Sequence, residues 1–144
     1  MGQKKRENAT MSYSILIVDD SKSDRYIIDR FLRKSEQFDV ISEVEDGQEA
    51  IDFFVNGDEA QEGFPPDAVI LDINMPRMNG FEFLEKYREL KQERNLKTKL
   101  VVLLTSSAHE EDKKKANEFD EVGMFITKPF KKAHIDIILD KLRH

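Results

Sequence analysis

Apolar runs too short for helices recur along the chain, and each stops on a charged or hydroxyl side chain. Ser14-Ile15-Leu16-Ile17-Val18 stops at Asp19-Asp20, and Ala68-Val69-Ile70-Leu71 stops at Asp72. Leu100-Val101-Val102-Leu103-Leu104 stops at Thr105, and Met124-Phe125-Ile126 at Thr127-Lys128. A run without polar alternation reads as a strand buried on both faces, the kind found in parallel sheets. Parallel strands need crossover connections, usually helical, so this pattern commits the chain to an α/β layered fold. Right-handed crossovers then place helices on both faces of one doubly wound sheet.

The intervening segments supply those helices. After Asp20, Ser21 and Ser23 are N-cap candidates and Asp24 lies in the first turn. Ile27, Ile28, Phe31 and Leu32 form an apolar stripe, with Lys22, Arg25, Arg30, Arg33 and Lys34 assigned to the opposite face. Phe38 to Val44 reads as a less apolar strand nearer an edge, and Glu45-Asp46-Gly47 as a turn. A helix follows from Gln48 to Val55, then a polar loop running to Pro65-Pro66. Past Pro76 and the turn Met78-Asn79-Gly80, a helix is expected from about Phe81. Lys91 to Lys99 either extends that helix or forms a mobile loop. His109 to Phe119 reads as a loosely packed helix, apolar only at Ala108, Ala116 and Phe119, with acids first and lysines last. Ile135, Ile138, Leu139 and Leu142 line a closing helix.

At 144 residues the chain suits one domain. Residues 1–13 are polar, lack an apolar core and read as a disordered leader rather than a signal peptide. No apolar run approaches the ~18 residues of a membrane span, so a cytoplasmic protein without membrane contact is expected. A formal charge of −6 argues against nucleic acid as a direct partner. The absence of cysteine excludes disulfides, thiolate metal sites and a thiol nucleophile. His109, His134 and His144 have no metal-ligand spacing and read as solvated.

In a parallel sheet all C-terminal strand ends point the same way. Asp19, Asp20, Asp72, Thr105 and Lys128 are therefore expected to converge, where open α/β sheets bind their ligands. Two carboxylates about 4 Å apart at an effective dielectric near 20 repel by about 4 kcal/mol. A hard divalent cation removes that penalty, and an all-oxygen donor set favours Mg²⁺ over zinc. With Lys128 as a compact cation and Thr105 as a hydroxyl donor, these are the parts for phosphoryl transfer. Asp72 is the expected nucleophile, becoming an acyl phosphate.

Five segments, I-L-I-V-D-D-S, E-D-G-Q-E-A-I, V-I-L-D-I-N-M-P-x-M-N-G, V-V-L-L-T-S-S and F-I-T-K-P-F, occur in order. Together they resemble the receiver domains of bacterial two-component response regulators of the chemotaxis-regulator type. The resemblance runs from about Ser14 to the C-terminus and implies a flavodoxin-like (βα)5 fold with strand order 2-1-3-4-5 over residues 14–144. It implies that Asp72 is the phosphoacceptor. It also implies that Asp20, Asp72 and the backbone carbonyl of Asn74 ligate Mg²⁺, with Asp19 acting through water. Thr105 and Lys128 would contact the phosphoryl group, Phe125 would stand at an aromatic switch position, and Lys128-Pro129 would be cis. The implied phosphodonor is a sensor histidine kinase or phosphotransfer protein, docking on the Lys22–Arg33 helix. Output is expected as protein contact by the receiver surface itself, either with an unnamed downstream protein or as a homodimer, because no effector domain follows. Where the family usually has Gly-Ala before the last strand, this chain has Glu121-Val122.

Rival readings fare less well. A haloacid-dehalogenase-type phosphatase needs a second aspartate as general acid where this chain has Asn74, so a turnover enzyme is not expected. No G-x-x-x-x-G-K-[ST] phosphate loop is present. In a flavodoxin, Asp19-Asp20 would repel the cofactor phosphate. The remaining alternative is a receiver that binds partners independently of phosphorylation.

Overall fold

The computed structural model describes residues 12–107 and 109–144. β1 (Tyr13–Val18) is buried along its whole length and lies second from one edge of a five-stranded sheet. The others are β2 (Phe38–Val44), β3 (Ala68–Asp72), β4 (Leu100–Thr105) and β5 (Val122–Thr127). All neighbours pair parallel, in the order β2-β1-β3-β4-β5, as the resemblance implied. Tyr13, placed in the leader by the sequence reading, is the first residue of β1: its N–H donates to Gln37 O at 2.8 Å. The rest of the expected leader, apart from Ser12, lies outside the described residues.

Because side chains alternate along a strand, each β-run feeds two cores. Leu16, Val18, Val69, Leu71, Val101 and Leu103 face α2 (Gly47–Asn56), α3 (Gly80–Arg94) and α4 (Glu110–Ala116). Ile15, Ile17, Ile70, Val102 and Leu104 face α1 (Lys22–Ser35) and α5 (Lys132–Arg143). Burial on both faces explains why these runs carry no polar alternation. β2 is an edge strand and only partly buried, as its mixed composition implied. Among the described residues, no helix is long and apolar enough to cross a membrane.

Several boundaries differ from the sequence reading. The Lys91–Lys99 segment divides: α3 ends at Arg94, Asn95 caps it in the left-handed region, and the connector then buries Leu96 and Thr98. α4 is shorter than expected, because its polar sequence supplies only Ala116 to the core, with Phe119 following in a turn. Ala108 lies outside the described residues. β5 is longer than Met124–Ile126, since pairing with β4 starts at Val122. Before it, Glu121 O accepts Val101 N–H at 3.0 Å and the Glu121 carboxylate turns inward, 3.8 Å from Arg88.

On α1 the expected stripe is rotated. Ile28 and Leu32 are buried, whereas Ile27 is 43% exposed beside the still more exposed Tyr26. Arg25, assigned to the polar face, is buried instead. A guanidinium can pack its stem against the sheet while its head satisfies buried acceptors, which residue type alone does not reveal.

Candidate functional site

β1 delivers Asp19 and Asp20 to the C-terminal edge of the sheet, β3 delivers Asp72, β4 Thr105 and β5 Lys128. Register sets the spacing: Val18 pairs with Leu71, Asp72 with Leu104, and Thr105 with Thr127. Asp19, Asp72 and Thr105 are buried at this edge, and Asp20 is exposed. Carboxylate oxygens of Asp19, Asp20 and Asp72 lie within 4.8 Å of one another.

Local structure holds these groups in place. Asp19 Oδ1 accepts Ser21 N–H at 2.9 Å, and Ser21 caps α1 by accepting Asp24 N–H at 3.2 Å. Arg25 reaches back from α1 to donate to Asp19 O at 2.6 Å and to Glu43 Oε1 at 3.1 Å. Asp72 Oδ1 accepts Asn74 N–H at 3.2 Å. Behind Asp72, α3 begins at an Asn79–Glu82 capping box, and Gly80 N–H donates to Ile73 O at 2.9 Å. A Cβ on Gly80 would lie 2.8 Å from Asp72 O, so glycine is what lets the helix start against the strand.

Lys128 is the hub of the site. Its ammonium donates to Asp24 Oδ2 at 2.8 Å and lies 3.1 Å from Asp19 Oδ2 and 3.6 Å from Asp72 Oδ2. Lys128 N–H also donates to Thr105 O at 2.7 Å, which ties β5's end to β4's. The Lys128-Pro129 peptide is cis, as the resemblance implied. The Thr105 hydroxyl donates to Ser107 O at 2.7 Å, and Oγ1 accepts Ser107 N–H at 3.2 Å, so it is turned toward its own loop. Phe125 on β5 is partly buried against the core that α2, α3 and α4 cover.

The electrostatics follow from this packing. Burial pushes the Asp72 carboxyl up to about 7, and the Asp19 charge adds to it; Lys128 and Asn74 N–H pull the other way, and Asp20 adds a smaller rise. Burial alone would lower the Lys128 ammonium, but the Asp24 hydrogen bond and then the charges of Asp19 and Asp72 outweigh it, so its pKa is raised. Asp19 Oδ2 is buried and, among the described residues, accepts no well-aligned hydrogen bond, despite the ammonium 3.1 Å away. An oxygen with a lone pair to spare, among three mutually repelling carboxylates, suits a small hard cation.

Sequence reasoning missed the ion pairs of Asp24 and Arg77. In sequence Asp24 reads only as a helix-start acid, with no signal that it meets Lys128, 104 residues away. Arg77, in the left-handed region of the β3–α3 loop, pairs with the buried Asp46 that caps α2. His109, His134 and His144 are not part of the carboxylate cluster.

A parallel sheet in this order, with carboxylates and a lysine at its C-terminal edge, defines a receiver-type signalling domain. The family model described as response regulator receiver domain matches residues 15–140, and the chain belongs to that family. Two-component signalling through an aspartyl phosphate, with Mg²⁺ at an acidic pocket, is general to its members. The chain is 33% identical over 133 residues to the chemotaxis protein CheY of Halobacterium salinarum, covering 92% of this chain and 98% of that protein. It is 28% identical over 137 residues to the sensor histidine kinase CheAY of Helicobacter pylori, covering 95% of this chain but only 16% of that protein. A two-component response regulator from Cytophaga hutchinsonii superposes with a TM-score of 0.80 at 26% identity, covering 92% of this chain and 97% of that one.

Proposed function

We propose that this chain accepts a phosphoryl group on Asp72 from the phosphohistidine of a sensor kinase or phosphotransfer protein, in the cytoplasm, and signals through a change in its own surface. The observation that carries this reading is the buried Asp72 carboxylate at the end of β3, 3.6 Å from the Lys128 ammonium. An Asp72 oxygen attacks phosphorus, the new O–P bond forms as the donor's N–P bond breaks, and the electron pair leaves with the imidazole. Asp19, Asp20 and Asp72, with the Asn74 carbonyl, would hold Mg²⁺. The ion would supply neutralisation of the phosphoryl oxygens. Lys128 neutralises a further oxygen, and the Thr105 hydroxyl, leaving Ser107, hydrogen-bonds another. Asn74 has no carboxyl group to protonate a leaving group or to take the proton of an attacking water, so the chain lacks at that position the general acid–base that a turnover phosphatase uses.

The donor docks on the exposed Tyr26–Ile27 surface of α1, next to Lys128-Pro129. Output is a protein contact of residues 13–144, with a downstream protein or a second copy, switched as Thr105 moves and Phe125 turns into the space behind it. The test is incubation with acetyl phosphate and Mg²⁺, followed by intact-protein mass measurement, with Asp72→Asn as control. Wild type gains one phosphoryl group and the variant none. An unmodified wild type, also after exposure to a phosphorylated kinase domain, overturns the reading in favour of a phosphorylation-independent binding module.

A further inference from the structure

The first turn of α1 brings a fourth carboxylate to the site. Asp24 lies outside the Asp19–Asp20–Asp72 cluster, yet it makes the shortest contact to Lys128: 2.8 Å, against 3.1 Å to Asp19 and 3.6 Å to Asp72. Ser21, which caps the helix and accepts Asp24 N–H, fixes the backbone from which this carboxylate projects. In the resting molecule the ammonium is thus held nearest the carboxylate that plays no part in the transfer.

We propose that Asp24 is a positioning residue that holds the Lys128 ammonium closer to itself than to Asp72, and that phosphoryl capture requires the ammonium to trade this carboxylate for the phosphoryl oxygens. The inference rests on the phosphoacceptor reading of Asp72 and deepens it. Two consequences point in opposite directions. Without the Asp24 charge, Lys128 leans on Asp19 and Asp72 and competes with a divalent cation for their oxygens, so Mg²⁺ binds more weakly. The same loss frees the ammonium for an incoming phosphoryl group and removes one negative charge that repels it, so capture is faster once Mg²⁺ saturates. A carboxylate that merely supported the helix start would loosen the site and shift both quantities the same way, or neither.

The experiment compares wild type, Asp24→Asn and Asp29→Asn. Asp29 lies on the same helix, is paired with Arg33 at 3.0 Å, and controls for the overall loss of charge. Mg²⁺ affinity is measured by calorimetry. Phosphorylation by acetyl phosphate at saturating Mg²⁺ is followed by mass: the Asp72 O–P bond forms, the donor's O–P bond breaks and acetate departs. For Asp24→Asn the expected result is Mg²⁺ affinity about three- to tenfold weaker with phosphorylation faster by a similar factor, while Asp29→Asn tracks wild type. Both quantities unchanged, both falling together, or Asp29→Asn matching Asp24→Asn overturns the tether. If wild type takes up no phosphoryl group from either donor, the phosphoacceptor reading fails by itself; the Mg²⁺ titration still decides whether Asp24 restrains Lys128, and equal affinities overturn that restraint.

Discussion

At Asp72 the protein keeps a carboxylate where its surroundings favour the neutral acid. The folded pKa of about 7 lies above the ordinary 3.8, so the native state binds a proton more tightly than the unfolded chain across that interval. Stability from this group is therefore fully present below about pH 4 and is lost as pH rises through about 7. Asp72→Asn, which cannot ionise, should unfold at higher denaturant than wild type near pH 8 without divalent metal, by on the order of 2 kcal/mol. That gain should vanish toward about pH 4, and Mg²⁺ should shrink it at high pH by stabilising the folded wild type. Parallel stability curves for the two proteins would contradict this account. In the proposed role the same group is ionised both as nucleophile and as metal ligand, and Mg²⁺ affinity should then fall below about pH 7 as protons compete for Asp72.

Elements position the site through close backbone approach. α3 starts directly against the end of β3, and at Gly80 an added methyl meets the Asp72 carbonyl at 2.8 Å and Ile73 Cα at 3.0 Å. Both neighbours are backbone, which cannot swing aside, so Gly80→Ala should push α3 and the strand end apart. A loss of about 2–3 kcal/mol in chemical denaturation is expected, with slower phosphorylation than Asn79→Ala, which removes only the cap at about 1 kcal/mol. Equal effects of the two variants would show that the close approach does not matter. α1 makes a second case. Charge reversal at Arg25 would be a poor probe of donor docking, because that buried guanidinium holds the Asp19 carbonyl and Glu43. Ile27→Glu leaves the core intact; it should slow phosphotransfer from a kinase at least about tenfold, within the range of an interface hot spot, and leave acetyl phosphate uptake unchanged. A variant slowed with both donors would locate the defect in the site rather than in docking.

For the molecule as a whole, the sheet separates two cores, one on each face, and its C-terminal edge carries the site. Thr105 is buried at the end of β4, and Phe125 on β5 packs against the core that α2, α3 and α4 cover; in the proposed function these two link Asp72 to the face built by α4, β5 and α5. Under the proposed function, phosphorylation draws the Thr105 hydroxyl from Ser107 and so would bias a two-state packing of that face. Hydrogen exchange should therefore change across β4, α4 and β5 on phosphorylation of wild type. In Thr105→Ala or Phe125→Ala the change should be largely lost although Asp72 is still modified. Exchange differences that survive both substitutions would exclude this route.

How much of this was legible before folding follows from the reach of each interaction. Period and composition are local, so the sequence alone determined the βα alternation, the buried strands and the polar residues that end them: Asp19, Asp72, Thr105 and Lys128. Parallel geometry then brings these ends together with no further information. The tertiary structure alone decided which face of α1 is buried, and so left Ile27 exposed while Arg25 turned inward. It decided that Glu121 packs inward beside Arg88, and that the Lys91–Lys99 segment splits at Asn95. It alone revealed the bond between Asp24 and Lys128. Such contacts depend on helix rotation and on side-chain reach across distant segments, and residue type records neither.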